Sequence, residues 1–281
     1  MKKTAFMMLF IFLFQVFFLP LAQATEANLE NVQALQKAEA SEAPPIPAKD
    51  EEFAEHSRKA TKFSFKDLPK HLILDIKDSF WGWGALGFAV GAGISAGLYQ
   101  KDKAIEYSFQ QNAMFGSTGD EILSQMGAPY TMAGVGLITT IVGAGIHNEK
   151  LQTTGEVMLE SLFWAELITL GGKYAFSRTR PDGGSNSFPS SHAAGVFSTA
   201  TVLQMMYGWK AGVPAYAFAS LVALARVDDY QHFPSDVLMG ATIGTVIAYG
   251  TSKYHKKLHN NFTVIPEVSK DRYGLLLYHE F

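Results

Sequence analysis

Six apolar segments dominate the chain after residue 83. They run over roughly 84–99, 128–147, 155–174, 191–207, 211–226 and 236–251. Polar loops such as Gln100-Lys101-Asp102-Lys103 and His147-Asn148-Glu149-Lys150 separate them. Segments of this length predict helices. Two shorter helices, near 104–114 and 119–126, fill the first gap. Small residues recur at four-residue spacing in Gly87 and Gly91, Gly93 and Gly97, and Gly240 and Gly244. That spacing suits tight helix–helix contact in lipid or in a dry core. Most segments sit at or below the roughly 20 residues that span a bilayer, and the third carries Glu156, Glu160 and Glu166. A membrane bundle and a soluble bundle therefore both fit the pattern.

The flanks read differently. Residues 1–24 resemble a secretory signal: Lys2 and Lys3, an apolar run from Ala5 to Leu19, then Ala22-Gln23-Ala24 as a small-x-small cleavage site. An uncleaved anchor is the alternative. Residues 25–62 have a linker composition, rich in Ala and Glu around Pro44-Pro45-Ile46-Pro47. Within 63–83, Leu68, Leu72, Ile76 and Phe80 recur every four residues, which predicts an amphipathic helix. The main helical domain is expected over 84–257. In 258–281, two apolar stretches flank Ser269-Lys270-Asp271-Arg272 and predict a β-hairpin.

Composition narrows the chemistry. Apolar residues make up 48% of the 281 and charged residues 17%, so a large core can form. A net charge of -3 gives no general case for nucleic acid. The absence of cysteine rules out disulfides, thiolate metal sites and a cysteine nucleophile.

Against that apolar background, one stretch concentrates charge. It contains Lys173-x6-Arg180-Pro181, then Pro189-Ser190-Ser191-His192, then Arg226-x5-His232-x3-Asp236. Charge at the ends of buried segments is costly unless it is paired or binds something. Arg offers a planar fork and Lys a point charge to a phosphate dianion. Pro-Ser directly before a helix presents free N–H groups and a hydroxyl at the positive end of the helix dipole, an anion cradle. Ser190 also suits an N-cap, and the two roles coexist. His232 and Asp236 suit a carboxylate-oriented histidine. Pro234 complicates that pairing, because it restricts Phe233 and starts a helix. Asp228 and Asp229 fall outside the charge pattern and read as loop residues. A zinc site made of His192, His232 and Asp236 is opposed by the three cations. Ser190 lacks a nucleophile-elbow context.

These three blocks together resemble the type 2 phosphatidic acid phosphatase superfamily, which includes membrane lipid phosphatases, secreted class A acid phosphatases and vanadium haloperoxidases. The family pattern is K-x6-R-P, P-S-G-H and S-R-x5-H-x3-D. Ser191 replaces the glycine and Ala225 the first serine of the last block. The resemblance covers roughly 130–251. It implies an all-α fold, a six-helix bundle, here carrying the short C-terminal hairpin. It implies His232 as nucleophile, Asp236 as its orienting carboxylate and His192 as the acid for the leaving oxygen. Lys173, Arg180, Arg226, Ser190 and Ser191 would hold the phosphoryl oxygens. No metal or other cofactor is implied.

The expected partners are a phosphorylated lipid or a small phosphomonoester, with a membrane and without nucleic acid. Localisation reads as the cell envelope: inner membrane with a periplasm-facing site, or periplasmic. Topology pulls two ways. An exported start followed by three crossings would put Lys173 in the cytoplasm. Lys253, Lys256 and Lys257, at the far end of the last segment, favour the cytoplasm themselves and so place the site outside. The two agree only if one early segment does not cross or the bundle does not span. The expectation is an extracytoplasmic lipid phosphatase. The alternatives are a soluble periplasmic acid phosphatase, a vanadate-dependent haloperoxidase and a non-catalytic helical membrane protein.

Overall fold

A computed structural model describes residues 79–259 and the segments 263–269 and 272–278. The expected signal, linker and most of the amphipathic helix lie outside the described residues. Eight helices are seen among the described residues. They are α1 (Trp83–Tyr99), α2 (Asp102–Gln111), α3 (Gly116–Met126), α4 (Pro129–Gly145), α5 (Glu149–Phe176), α6 (Ser191–Tyr207), α7 (Trp209–Asp228) and α8 (Pro234–His259). Strands β1 (Thr263–Ser269) and β2 (Arg272–Tyr278) follow and pair antiparallel. Each of the six apolar segments falls in a long helix, and α2 and α3 take the first gap. The helical layer is thus six long helices plus two short ones, rather than six alone.

Local chemistry sets the helix ends. Asn148 caps α5 by accepting the Leu151 N–H at 2.9 Å, so this helix starts six residues earlier than its apolar run. Pro129 and Pro234 each occupy the first position of a helix, where a missing N–H costs nothing. At the other end of α5, Ser177 adopts a left-handed conformation, φ 44°, and stops the helix four residues before Pro181. Lys173 therefore stays in the last helical turn, while Arg178 and Arg180 leave it.

The core is built around α6. This helix is apolar on nearly all sides, and Ala193, Ala194, Val196, Ala200 and Val202 are buried. It packs on α8, α7 and α5. Val157 and Met158 of α5 meet Val202 and Ala248. Ala165, Ala194, Ile243 and Ile247 form a second cluster, and Ala193, Ala223, Val227 and Val237 a third. Glycine makes the α6–α8 approach possible. A Cβ on Gly240 would stand 2.2 Å from the Ser190 carbonyl oxygen, and one on Gly244 2.1 Å from that of Ala194. Gly91 meets Thr242 in the same way, whereas Gly93 and Gly97 face open space. Only part of the small-residue pattern is therefore packing.

Helix α1 lies antiparallel on α8. Ser79, just before it, donates to the Ile247 carbonyl, and Ser95, near its end, to the Ser235 carbonyl. The ends of α1, α5 and α7 and the starts of α6 and α8 therefore gather at one end of the bundle. Trp83 lies with the C-terminal part of α8, at the other.

Candidate active site

The gathered end brings together every residue singled out in the three sequence blocks. Lys173 projects from the last turn of α5, and its Nζ donates to the Asn186 carbonyl at 2.9 Å. Arg180 sits in the following loop. Its Nε donates to the Ser185 carbonyl at 3.0 Å and its guanidinium to Gln231 Oε1 at 2.6 Å. Gln231 in turn donates to Asp182 at 2.9 Å. Arg226, in the last turn of α7, is 7% exposed. It donates to Ser124 Oγ and lies 3.5 Å from Asp229. Its Nε has no hydrogen-bond partner among the described residues. A buried guanidinium N–H in that condition suits an anionic oxygen.

Ser190 caps α6, accepting the Ala193 N–H at 3.4 Å, a long bond. Its own N–H donates to the Asp236 carbonyl at 3.0 Å, which ties the α6 start to the first turn of α8. Ser191 Oγ lies 3.3 Å from Thr169 Oγ1 on α5. His192 follows in the first turn of α6, against the Ser124 carbonyl.

His232 lies between α7 and α8. Its backbone N–H donates to the Arg226 carbonyl at 3.1 Å, folding it back over the end of α7. The ring is almost wholly buried. Burial holds its pKa well below the ordinary histidine value, and the charges of Lys173, Arg226, Arg180 and His192 push it the same way. The imidazole is therefore neutral near pH 7, with a lone pair on one ring nitrogen.

The His232–Asp236 pair departs from simple expectation. Nδ1 of His232 stands 3.9 Å from Asp236 Oδ2, beyond hydrogen-bond range, and has no other partner among the described residues. Asp236 is occupied instead. Oδ2 accepts from Ser187 Oγ at 2.5 Å and from the Phe233 N–H at 2.9 Å, and Oδ1 accepts from Arg178 at 2.5 Å. Pro234 is the physical reason. It starts α8 at residue 234, so His232 and Asp236 do not share a helix face.

Several residues at this site carry no sequence mark. Arg178 hides inside the Lys173–Arg180 spacer, and Ser187 in a loop that reads only as flexible. Ser124 and Asp102 come from segments remote in sequence. Asp228 corrects an expectation: it ends α7, is buried, and accepts the N–H groups of Met114 at 2.9 Å and Phe115 at 3.0 Å. It anchors the connection between α2 and α3 and is not a free loop residue.

A model of the PAP2 superfamily matches residues 166–260, the stretch that holds all three blocks. A lipid A 1-phosphatase of Porphyromonas gingivalis is 41% identical over 80 residues, which cover 27% of this chain but only 18% of that protein. A lipid A 4'-phosphatase of Helicobacter pylori is 34% identical over 143 residues, covering 43% of this chain and 68% of that protein. Among solved structures, a transmembrane PAP2 type phosphatidylglycerolphosphate phosphatase from Bacillus subtilis shares the fold. Its TM-score is 0.50 at 21% identity, over 62% of this chain and 94% of that one. With the motif-bearing stretch matched and two thirds of the Helicobacter protein spanned, the chain belongs to the PAP2 superfamily.

Proposed function

We propose that this protein is a metal-independent lipid phosphatase working through a phosphohistidine. The observation that carries the reading is the convergence of two buried or half-buried histidines with Lys173, Arg180 and Arg226 at one end of the bundle. The cations hold the three non-bridging oxygens of the transferring group and stabilise the charge that builds on them. His232 Nε2 attacks phosphorus, and the bond to the leaving oxygen breaks as His192 delivers a proton to it; burial and the cations lower the His192 pKa to about 3 in the free enzyme, and the bound phosphate dianion offsets them so that the ring carries the proton. Water then attacks phosphorus as His192 takes its proton, the P–N bond breaks with its electron pair returning to Nε2, and inorganic phosphate leaves. Asp236 steadies the ring, and a small rotation closes the 3.9 Å gap to Nδ1. Catalytic hydrogen bonds are often long until substrate binds.

The lipid part of the reading rests on the surface. On α5, Phe163, Leu167, Leu170 and Tyr174 form an exposed apolar stripe, while Glu160 and Thr169 of the same helix are buried. Glu160 pairs with His255 at 2.8 Å. Leu86, Val90 and Ile94 form a like stripe on α1. Polar groups inward and large apolar groups outward is the arrangement of a helix in lipid. Among the described residues, helix α7 alone is long and apolar enough to cross a bilayer, and α3 with α4 forms a second such run bent by 44°. The names of the two curated relatives point to a phosphorylated glycolipid as the first substrate to try. An extracytoplasmic site is supported by Lys253 and the lysines after it, at the end of α8 remote from the site.

The test is phosphate release from lipid A, from a polyprenyl diphosphate and from a small phosphomonoester, each with chelator present. Release from lipid substrates that is lost in His232→Ala is the expected result. A base-stable, acid-labile phosphoenzyme should accumulate on rapid quenching. Turnover of the small ester alone would turn the reading to an acid phosphatase, and undiminished release by His232→Ala would refute it.

A further inference from the structure

We infer that Asp102 and Arg178 form a positioning relay that sets the Asp236 carboxylate behind His232. The inference rests on the proposed role of Asp236 in orienting the nucleophile. Arg178 leaves α5 just after the left-handed Ser177 and turns away from the phosphate cradle. One terminal nitrogen donates to Asp236 Oδ1 at 2.5 Å and to Ser235 Oγ at 2.8 Å. The other donates to Asp102 Oδ2 at 2.7 Å. Two aromatic rings also lie against the guanidinium, whose carbon is 4.1 Å from the Phe233 ring centroid and 4.6 Å from that of Tyr99. Both terminal nitrogens are therefore engaged. This cation is committed to carboxylates and is not a fourth phosphate ligand.

Asp102 closes the arrangement. It is the first residue of α2 and is 1% exposed. Oδ1 accepts the Ser235 N–H at 3.0 Å, and Oδ2 accepts from Ser235 Oγ. Ser235 is the second residue of α8, so its N–H has no acceptor within that helix. Asp102 thus caps, from another helix, the helix that carries Asp236. Its charge also faces the positive end of the α8 dipole.

The division of labour follows from lone pairs. Asp236 Oδ1 is taken by Arg178, and Oδ2 by Ser187 Oγ and the Phe233 N–H, so the carboxylate cannot rotate. What remains of Oδ2 faces His232 Nδ1. If Asp102 loses its charge, Arg178 keeps one carboxylate instead of two. The guanidinium is then free to follow Asp236, and the carboxylate loses its fixed orientation toward the ring. Asp102 lies well before the stretch matched by the family model, so the corner between α1 and α2 completes the site from outside it.

The experiment compares Asp102→Asn, Arg178→Gln and their double variant with the wild type, using phosphate release from the lipid substrate found active. Asp102→Asn keeps an acceptor for the Ser235 N–H and removes only the charge. Tyr99→Leu, which loosens the stacking alone, serves if the polar variants do not fold. The relay predicts that kcat falls roughly 10–100-fold in each polar variant, as for about 1 Å of misplacement of a catalytic group. KM and the inhibition constant of inorganic phosphate stay within about threefold, since the cradle is untouched. The double variant is no worse than Arg178→Gln. Tyr99→Leu lowers kcat by a smaller factor at unchanged KM. Additive losses in the double variant would overturn the relay, and so would weakened phosphate inhibition, which would make Arg178 a ligand. His232→Ala run alongside keeps the two ideas apart. Full activity of the relay variants beside an inactive His232→Ala overturns the relay alone. Activity surviving in His232→Ala overturns the mechanism beneath it.

Discussion

Gly240→Ala asks whether the proposed phosphate cradle depends on the close approach of α6 and α8. A Cβ at this position would stand 2.2 Å from the Ser190 carbonyl oxygen, 3.2 Å from its carbonyl carbon and 3.1 Å from Ala193 Cβ. Real Cβ contacts essentially never fall below 3.0 Å, so the helices must part by about 0.8 Å, the difference between 3.0 and 2.2 Å. The obstacle is backbone and cannot swing aside. Ser190, Ser191 and His192 at the α6 start move with it. Overpacking of this kind costs about 1–3 kcal/mol. Replacing a helical glycine by alanine returns about 1 kcal/mol through propensity, so the net loss of stability is about 0–2 kcal/mol. Activity should suffer far more, because a shift near 1 Å in catalytic groups costs roughly 100-fold. The measurement is kcat/KM for phosphate release in detergent micelles, paired with thermal unfolding followed by tryptophan fluorescence. Gly134→Ala is the control, since nothing lies within 4 Å of its Cβ position; it should leave activity intact. A Gly240→Ala protein with wild-type kcat/KM would show that the cradle tolerates this shift, and the reasoning would fail.

Two further outcomes follow from the same geometry. With its pKa lowered in the free enzyme, His232 stays unprotonated as pH falls through 6.5, so the acid limb of kcat/KM that reports His232 should lie below that value. Arg226→Gln removes one of the depressing charges and should move the acid limb upward despite lower activity; a limb at or above 6.5 in the wild type would contradict the assignment. The folding linkage has the same sign: the unfolded chain takes up the proton first, so the stability tied to His232 is full above about 6.5 and falls as pH drops below it. Sidedness is readable because the chain has no cysteine of its own. Ser185→Cys in the exposed loop beside Arg180 should react with an impermeant maleimide on intact spheroplasts, and Lys253→Cys only after lysis. The reverse pattern would place the site in the cytoplasm. Because α1 lies antiparallel on α8, Trp83 must share the side on which Lys253 is found.

The helices were legible because their signal is local. Long apolar runs bounded by polar loops define all six long elements, and only the end of α8 and the start of α5 differ by a full turn and more. At the latter, residues 149–154, polar except for Leu151, carry no apolar periodicity, and the Asn148 cap extends the helix through them. The glycine pattern was legible only in part. Spacing at four residues is the same for Gly93 and Gly97 as for Gly240 and Gly244, yet only the second pair faces a neighbouring backbone. Periodicity gives the face of a helix and says nothing about what stands opposite.

The site divides along the same line. Its eight expected residues meet because they occupy helix ends, and the loops beside them, that the topology collects. Which charge faces which is a different kind of information. Arg178 and Arg180 lie two residues apart in one spacer, with the same chemistry. Ser177 in its left-handed turn sends them to different partners: Arg180 to Gln231 and the Ser185 carbonyl, Arg178 to two buried carboxylates. One of those carboxylates, Asp102, sits in a tetrapeptide that looks like an ordinary polar loop, 76 residues away from Arg178. A count of cations therefore overstates the charge available to a phosphate. Of the four between Lys173 and Arg226 at this end of the bundle, Arg178 is held between two buried carboxylates, and on the proposed mechanism Lys173, Arg180 and Arg226 are the three that meet the phosphoryl oxygens.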